Sequence, residues 1–150
     1  MSRGFTLIEV LVVMLIIGVL ATTLTLSLAP DTHRQLQDEA YRFARVLEQA
    51  VDADEMGDSL GLSWNADGYV FQRQDDGGHW QAINDTFFSA RRWPDGISAS
   101  ARSVSGDVPP WLLWRDNQSP SLLLTLSSAT RHFDLALSPL GRVTVTERMP

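Results

Sequence analysis

The hydrophobic pattern changes period twice along the chain. Residues 5–29 are almost wholly apolar, softened by Thr6, Thr22, Thr23, Thr25 and Ser27 and carrying a single charge, Glu9, before Asp31. That length suits one membrane-spanning helix of roughly 20 residues. Over 30–56 the apolar positions Leu36, Ala40, Phe43, Ala44, Leu47, Ala50 and Val51 fall three and four apart. This spacing predicts an amphipathic helix whose stripe packs on the rest of the domain. Arg34, Asp38, Arg42, Arg45, Glu48, Asp52 and Glu55 occupy its other faces. Pro30 lacks the N–H of a continuous helix and is expected to kink or briefly interrupt it, with Asp31 or Thr32 capping the resumed helix and Gly57 ending it. Taken as near-continuous, 5–56 is a helix of roughly 75 Å at about 1.5 Å per residue.

From Leu60 the period becomes two, punctuated by turn residues. Residues 61–64, the turn Asn65-Ala-Asp-Gly68 and residues 69–73 read as one hairpin. Asp75-Asp-Gly-Gly78 and residues 79–83 make the next hairpin. After a looser region with Phe87, Phe88 and Trp93-Pro-Asp-Gly96, further strands are predicted at 97–103, 111–115, 122–127, 131–137 and 142–147, with a stiff exposed loop at 105–110. Many short strands after one helix predict an α+β fold, with a long N-terminal helix packed on an antiparallel β-sandwich formed by 57–150.

Composition narrows this. With the leader and membrane helix set aside, about 120 residues remain, one ordinary domain. The formal charge is −6, and all 12 cationic residues are Arg. An acidic domain of this kind is a poor nucleic-acid binder. Cysteine is absent, so neither a disulfide framework nor thiol chemistry is available and the core alone must hold the domain.

The N-terminus carries the specific signal. A carboxylate in an apolar span costs about 2.5–3.5 kcal/mol at the centre of a membrane helix and less near the interface, so Glu9 asks for a reason. A cleaved secretory signal fits poorly: the charged leader is only Met1-Ser2-Arg3, and no small-x-small site follows the apolar run. The small residue, Gly4, precedes it. A short basic leader ending in Gly, then Phe5, then Glu9 four residues on, resembles the type IV prepilin signal. The resemblance implies a leader at 1–4, cleavage by a membrane aspartyl peptidase between Gly4 and Phe5, N-methylation of Phe5, and an assembly role for Glu9 in pairing with the amine of an adjacent subunit. The alternative for Glu9 is local: satisfying its own helix's N-terminal N–H groups and favouring the positive end of the dipole.

The remainder is similar to the GspH/FimT group of minor pilin-like proteins through Gly61-Leu62, Gly68-Tyr69 with Phe71, Trp80, Pro94 with Gly96, and Gly141-Arg142-Val143. Each match also has a purely structural meaning in turns and core. The resemblance implies a minor pseudopilin of type II secretion, anchored in the bacterial inner membrane by a single pass, with its N-terminus cytoplasmic and its C-terminal domain periplasmic. Implied partners are other major and minor pseudopilins, the prepilin peptidase and the inner-membrane secretion platform. The alternative within the group is a FimT-like minor pilin that captures DNA. Against it stand the acidic balance and a tail in which Thr144, Thr146 and Glu147 replace the expected basic residues.

Catalytic constellations are missing from the sequence. His33, His79 and His132 are isolated and read as solvated or hydrogen-bonded, so no metal site is expected. Asn65-Ala-Asp67-Gly68 and Asp75-Asp76-Gly-Gly resemble fragments of a calcium loop without its closing Glu, and read as turns. The expectation is a non-enzyme without cofactor. Arg91-Arg92-Trp93 reads as a solvated turn whose Trp covers the sandwich edge. Trp111 and Trp114, three apart, would point to opposite sides of a strand, so that one faces outward for contact with a neighbouring subunit.

Overall fold

A computed structural model describes residues 7–27, 32–54, 57, 59–83, 85–104 and 109–149, with the side chains of 21–27 and 102–104 outside that description. The chain forms two compact units, Met1–Asp31 and Thr32–Pro150. In the first, α1 takes up Leu7–Ser27. From Leu7 to Leu20 its apolar residues face solvent on every side: Leu7, Ile8, Leu11, Met14, Leu15, Ile17 and Leu20 are all more than half exposed. Among the described residues, no helix is long and apolar enough to cross a membrane. Pro30, with the kink expected there, and the Asp31 cap lie outside the described residues.

The second unit opens with α2, Thr32–Ala53. All seven apolar residues of the expected stripe are buried, together with Glu39. Gly57, just beyond, has φ +105°, the left-handed conformation that glycine accepts at no steric cost and that stops a helix.

Nine strands follow among the described residues. The first sheet is built from β1 (Leu60–Trp64), β2 (Gly68–Gln74), β3 (Trp80–Ala82), β4 (Arg91–Arg92) and β6 (Trp111–Leu112). Its order is β3-β2-β1-β6, with β4 also on β2. Because β1 occupies one edge of β2, β3 and β4 share the other, at Gln72 to Gln74 and at Gly68 to Tyr69 respectively. The second sheet, in the order β5-β7-β8-β9, comprises β5 (Ser98–Val104), β7 (Leu122–Ser127), β8 (His132–Leu137) and β9 (Val143–Arg148). All the pairings are antiparallel, and β5 slips register between Ala101 and Ser103.

Both sheets and α2 share one core. Phe43 and Leu47 of the helix, Leu62 and Phe71 of the first sheet, and Leu124, Phe133 and Leu135 of the second are at most 2% exposed. Phe43 packs on Tyr69 with ring centres 4.7 Å apart and meets Trp93 edge-on at 5.4 Å, geometry that adds about 0.5–1.5 kcal/mol per aromatic pair beyond burial. Trp93 is therefore a core residue, correcting the reading of 91–93 as a solvated turn with an edge-covering Trp. Arg91 and Arg92 are also not a free turn but a short strand. Gly68 admits them, since a Cβ there would stand 2.2 Å from the Arg91 carbonyl oxygen.

The strand expected at 111–115 is shorter than its pattern. Asp116 and Asn117 take φ of 51° and 64°, which turns the chain, and Arg115 and Gln118 exchange backbone hydrogen bonds across the turn.

Candidate functional site

The N-terminal motif reaches the described residues at α1. Gly4 and Phe5 lie outside them, and Glu9 sits in the first turn of α1, exposed with its apolar neighbours. A helix that is hydrophobic all round has no stable surface in water: it needs an apolar medium or other helices. The first turn also holds backbone N–H groups that have no intrahelical acceptor, so a carboxylate at Glu9 suits that end electrostatically.

In the second unit, two carboxylates of α2 and Asp54, the residue just after it, join the helix to the strands and the segment after β6. Glu39, 4% exposed, is gripped by Arg91, whose Nε and Nη2 donate to its two oxygens at 2.9 and 3.0 Å. Arg42 Nη1, one turn along the helix, donates to the same carboxylate and to the Tyr69 hydroxyl, both at 3.1 Å. A bidentate guanidinium–carboxylate pair is among the stronger polar contacts, and removing one partner strands a buried charge at a cost of about 3–5 kcal/mol. That figure is an upper end here, because the Arg42 and Arg91 side chains stay 38% and 40% exposed. The hydrogen bond to Glu39 holds the Arg91 guanidinium above its usual pKa. Burial pushes the Tyr69 hydroxyl above its ordinary value, with the charge and hydrogen bond of Arg42 pulling the other way.

Glu48, placed off the apolar stripe, accepts the Val143 backbone N–H at 2.8 Å and so faces β9. Asp54, 6% exposed, accepts Leu60 N–H at 2.8 Å and Trp114 N–H at 2.5 Å, joining the end of the helix to β1 and to the segment after β6. No motif or periodicity along the chain announces these roles. Arg91, Val143 and Trp114 lie 52, 95 and 60 residues from the carboxylates that hold them, beyond the reach of any local pattern, while Leu60 lies 6 from Asp54.

The Gly141-Arg142-Val143 match is structural at each observed contact. Gly141 is buried with φ +75°, and a Cβ on it would stand 2.6 Å from Val51 Cγ1. Trp111 and Trp114 are both half-buried: Trp111 stacks on Trp64 at 4.1 Å, and Trp114 packs against the core.

The Asp-rich segments use their oxygens within their own turns. Asp75 Oδ1 accepts Gly77 and His79 N–H, both at 2.9 Å, and Oδ2 accepts Gln81 Nε2 at 3.1 Å. The bond from His79 N–H is the leading reason its carboxyl lies below the usual range. Asn65 Oδ1 accepts Asp67 and Gly68 N–H in the same way. Among the described residues, no three His, Cys, Asp or Glu side chains gather to hold a metal. His33 meets Glu147 at 3.2 Å, and His132 meets the Ser127 hydroxyl at 3.0 Å.

Comparison with known proteins bears on the N-terminus and on most of the chain. Residues 1–25 match the prokaryotic N-terminal methylation motif. Type II secretion system protein H of Aeromonas hydrophila is 39% identical over 85 residues, 55% of this chain and 46% of that protein, so the match spans about half of the relative's length. The protein of the same name from Pseudomonas aeruginosa is 29% identical over 146 residues, covering 93% of this chain and 85% of its own. No solved structure matches.

Proposed function

We propose that this chain, with a prepilin-type methylation motif and similarity to type II secretion system protein H, is a minor pseudopilin of the H type. Its work is assembly and not catalysis. The observation that carries the reading is α1: an apolar helix exposed on all sides, interrupted by one carboxylate in its first turn, under the methylation motif. Such a helix is stable in lipid before assembly and among the helices of other subunits after it.

In this reading, Gly4 ends a leader removed by the prepilin peptidase on the cytoplasmic side, Phe5 becomes the methylated N-terminus, and 5–29 spans the inner membrane once. Thr32–Pro150 then stands in the periplasm. The chain joins major and minor pseudopilins on the inner-membrane platform, initiating or capping the pseudopilus that drives folded proteins across the outer membrane. Glu9 pairs with the terminal amine of an adjacent subunit. In hydrocarbon that pairing removes two desolvation penalties at once, where an unpaired carboxylate alone costs several kcal/mol.

Mass spectrometry of the membrane-extracted chain tests processing, with methylated Phe5 expected at its start and Gly4→Val expected to block cleavage. An N-terminus beyond residue 20 contradicts the reading. Glu9→Leu is expected to be cleaved and inserted yet to lose cross-linking to neighbouring pseudopilins. Normal cross-linking and secretion by that variant would leave Glu9 with a role in its own helix only.

A further inference from the structure

Asp38, Arg45 and Asp52 stand at seven-residue intervals on the solvent side of α2, and all three are exposed. Seven residues make two helical turns to within about 20°, so the side chains form one stripe, negative, positive, negative, in steps of about 10.5 Å. Tyr41, 46% exposed, lies on the same side of the helix between the first two.

The chain leaves these charges unmatched. Among the described residues none of the three enters an ion pair, and Arg45 Nε donates only to the Tyr41 carbonyl, at 3.4 Å. The opposite charges one turn away are engaged elsewhere: Arg42, beside Asp38, donates to Glu39 and Tyr69, and Glu48, beside Arg45, accepts the Val143 N–H. Two turns apart, the three are also beyond the one-turn pairing that stabilises a single helix.

Charges spaced in this way match a displaced copy of themselves. Against a parallel helix at the same level, each meets its like. Displaced by one step, Asp38 meets Arg45 and Arg45 meets Asp52. Displaced by two, Asp38 meets Asp52. Complementarity therefore exists in one parallel register alone.

We propose that this face of α2 docks a second copy of the chain, parallel and displaced along the helix by one step of about 10.5 Å. The inference rests on the proposed function, under which copies inserted into one membrane in the same direction run α2 in the same sense. Exposed ion pairs add little affinity, so α1 supplies the association and the stripe selects its register. Level copies repel, and the charges engage when one copy is raised past the other.

The test uses the full chain in detergent micelles with a short bismaleimide, since the chain has no cysteine of its own. A mixture of Tyr41→Cys and Gln49→Cys chains, one of them tagged, reports the displaced register, which brings those positions within about 1.5 Å in height. Gln49→Cys alone reports level copies. Tyr41→Cys alone reports level copies and antiparallel ones, in which Asp38 also meets Arg45. The mixed dimer is expected to exceed either single dimer at least tenfold, and to lose that excess in about 1 M salt, where the screening length is about 3 Å. Inverting the signs by Asp38→Arg, Arg45→Asp and Asp52→Arg creates a chain that matches the unaltered one level. Mixing those two, each also carrying Gln49→Cys, is expected to raise cross-linking between positions 49 at least tenfold. Dominance of a single dimer among unaltered stripes, a mixed dimer indifferent to salt, or no rise with the inverted stripe overturns the proposal. Should the inverted chain fail to fold, the salt dependence decides. Methylated Phe5 without the mixed dimer overturns the docking and leaves the pseudopilin reading intact. An N-terminus beyond residue 20 sinks that reading, and the cross-links still decide the docking.

Discussion

Gly141 shows how a single residue can carry a motif's meaning without carrying chemistry. Its φ of +75° and its contact with Val51 leave no room for a side chain, so Gly141→Ala combines backbone strain with overpacking against α2. A loss of about 2–3 kcal/mol in urea unfolding is expected, with the secondary structure unchanged in folded material. Tyr69 gives the complementary case of a titrating residue in the core. Burial raises its folded pKa above the ordinary value near 10, so the unfolded chain ionises first as pH rises. The associated stability is complete below about pH 10 and declines as pH climbs from there through the folded pKa. Thermal melts from pH 8 to 11 should show this decline, and Tyr69→Phe should flatten its share of it. Glu147 has the opposite sign. Hydrogen bonds from His33 and then Arg131 hold its carboxyl below the usual range, so its contribution is present above that range and is lost in acid.

At the scale of elements, what was legible in the sequence was what is encoded locally. The stripe from Leu36 to Val51 needs only the 3.6-residue period, and it is the face that α2 buries. The hairpin through Asn65 needs only a turn residue between alternating runs, and β1 pairs with β2 across it, with Trp64 opposite Tyr69. The misses share a cause. β4 is two residues long, too short to show any period, and exists because Gly68 lets the Arg91 backbone approach and Glu39 holds its side chain. Glu48 falls off the stripe, and helical spacing reports distance from the stripe and not the approach of a strand 95 residues away. Glu48→Ala should therefore cost about 1–2 kcal/mol by orphaning the Val143 N–H, measured in denaturant, whereas Glu48→Gln should keep most of it. Equal losses in both variants would show that the charge, and not the acceptor, is what β9 requires.

Considered whole, the molecule divides its apolar surface unequally. Thr32–Pro150 closes its own core, in which Phe43, Phe71 and Phe133 are shut off from solvent, and the chain has no cysteine. Met1–Asp31 holds α1, whose large apolar side chains from Leu7 to Leu20 are exposed and make no core. Domains of about 120 residues bury enough surface to fold alone, while an exposed apolar helix of this length drives association in water. The fragment Thr32–Pro150 is accordingly expected to stay soluble without detergent, sediment as a monomer at micromolar concentration and melt in one cooperative transition. Chelator should not move its melting temperature, because Asp75 and Asn65 spend their oxygens on their own turns. The full chain should require detergent or lipid. A fall of many degrees on adding chelator would return the Asp-rich turns to consideration as a cation site. A fragment that aggregates while the full chain stays dispersed in water would mean that α1 belongs to the domain's own core.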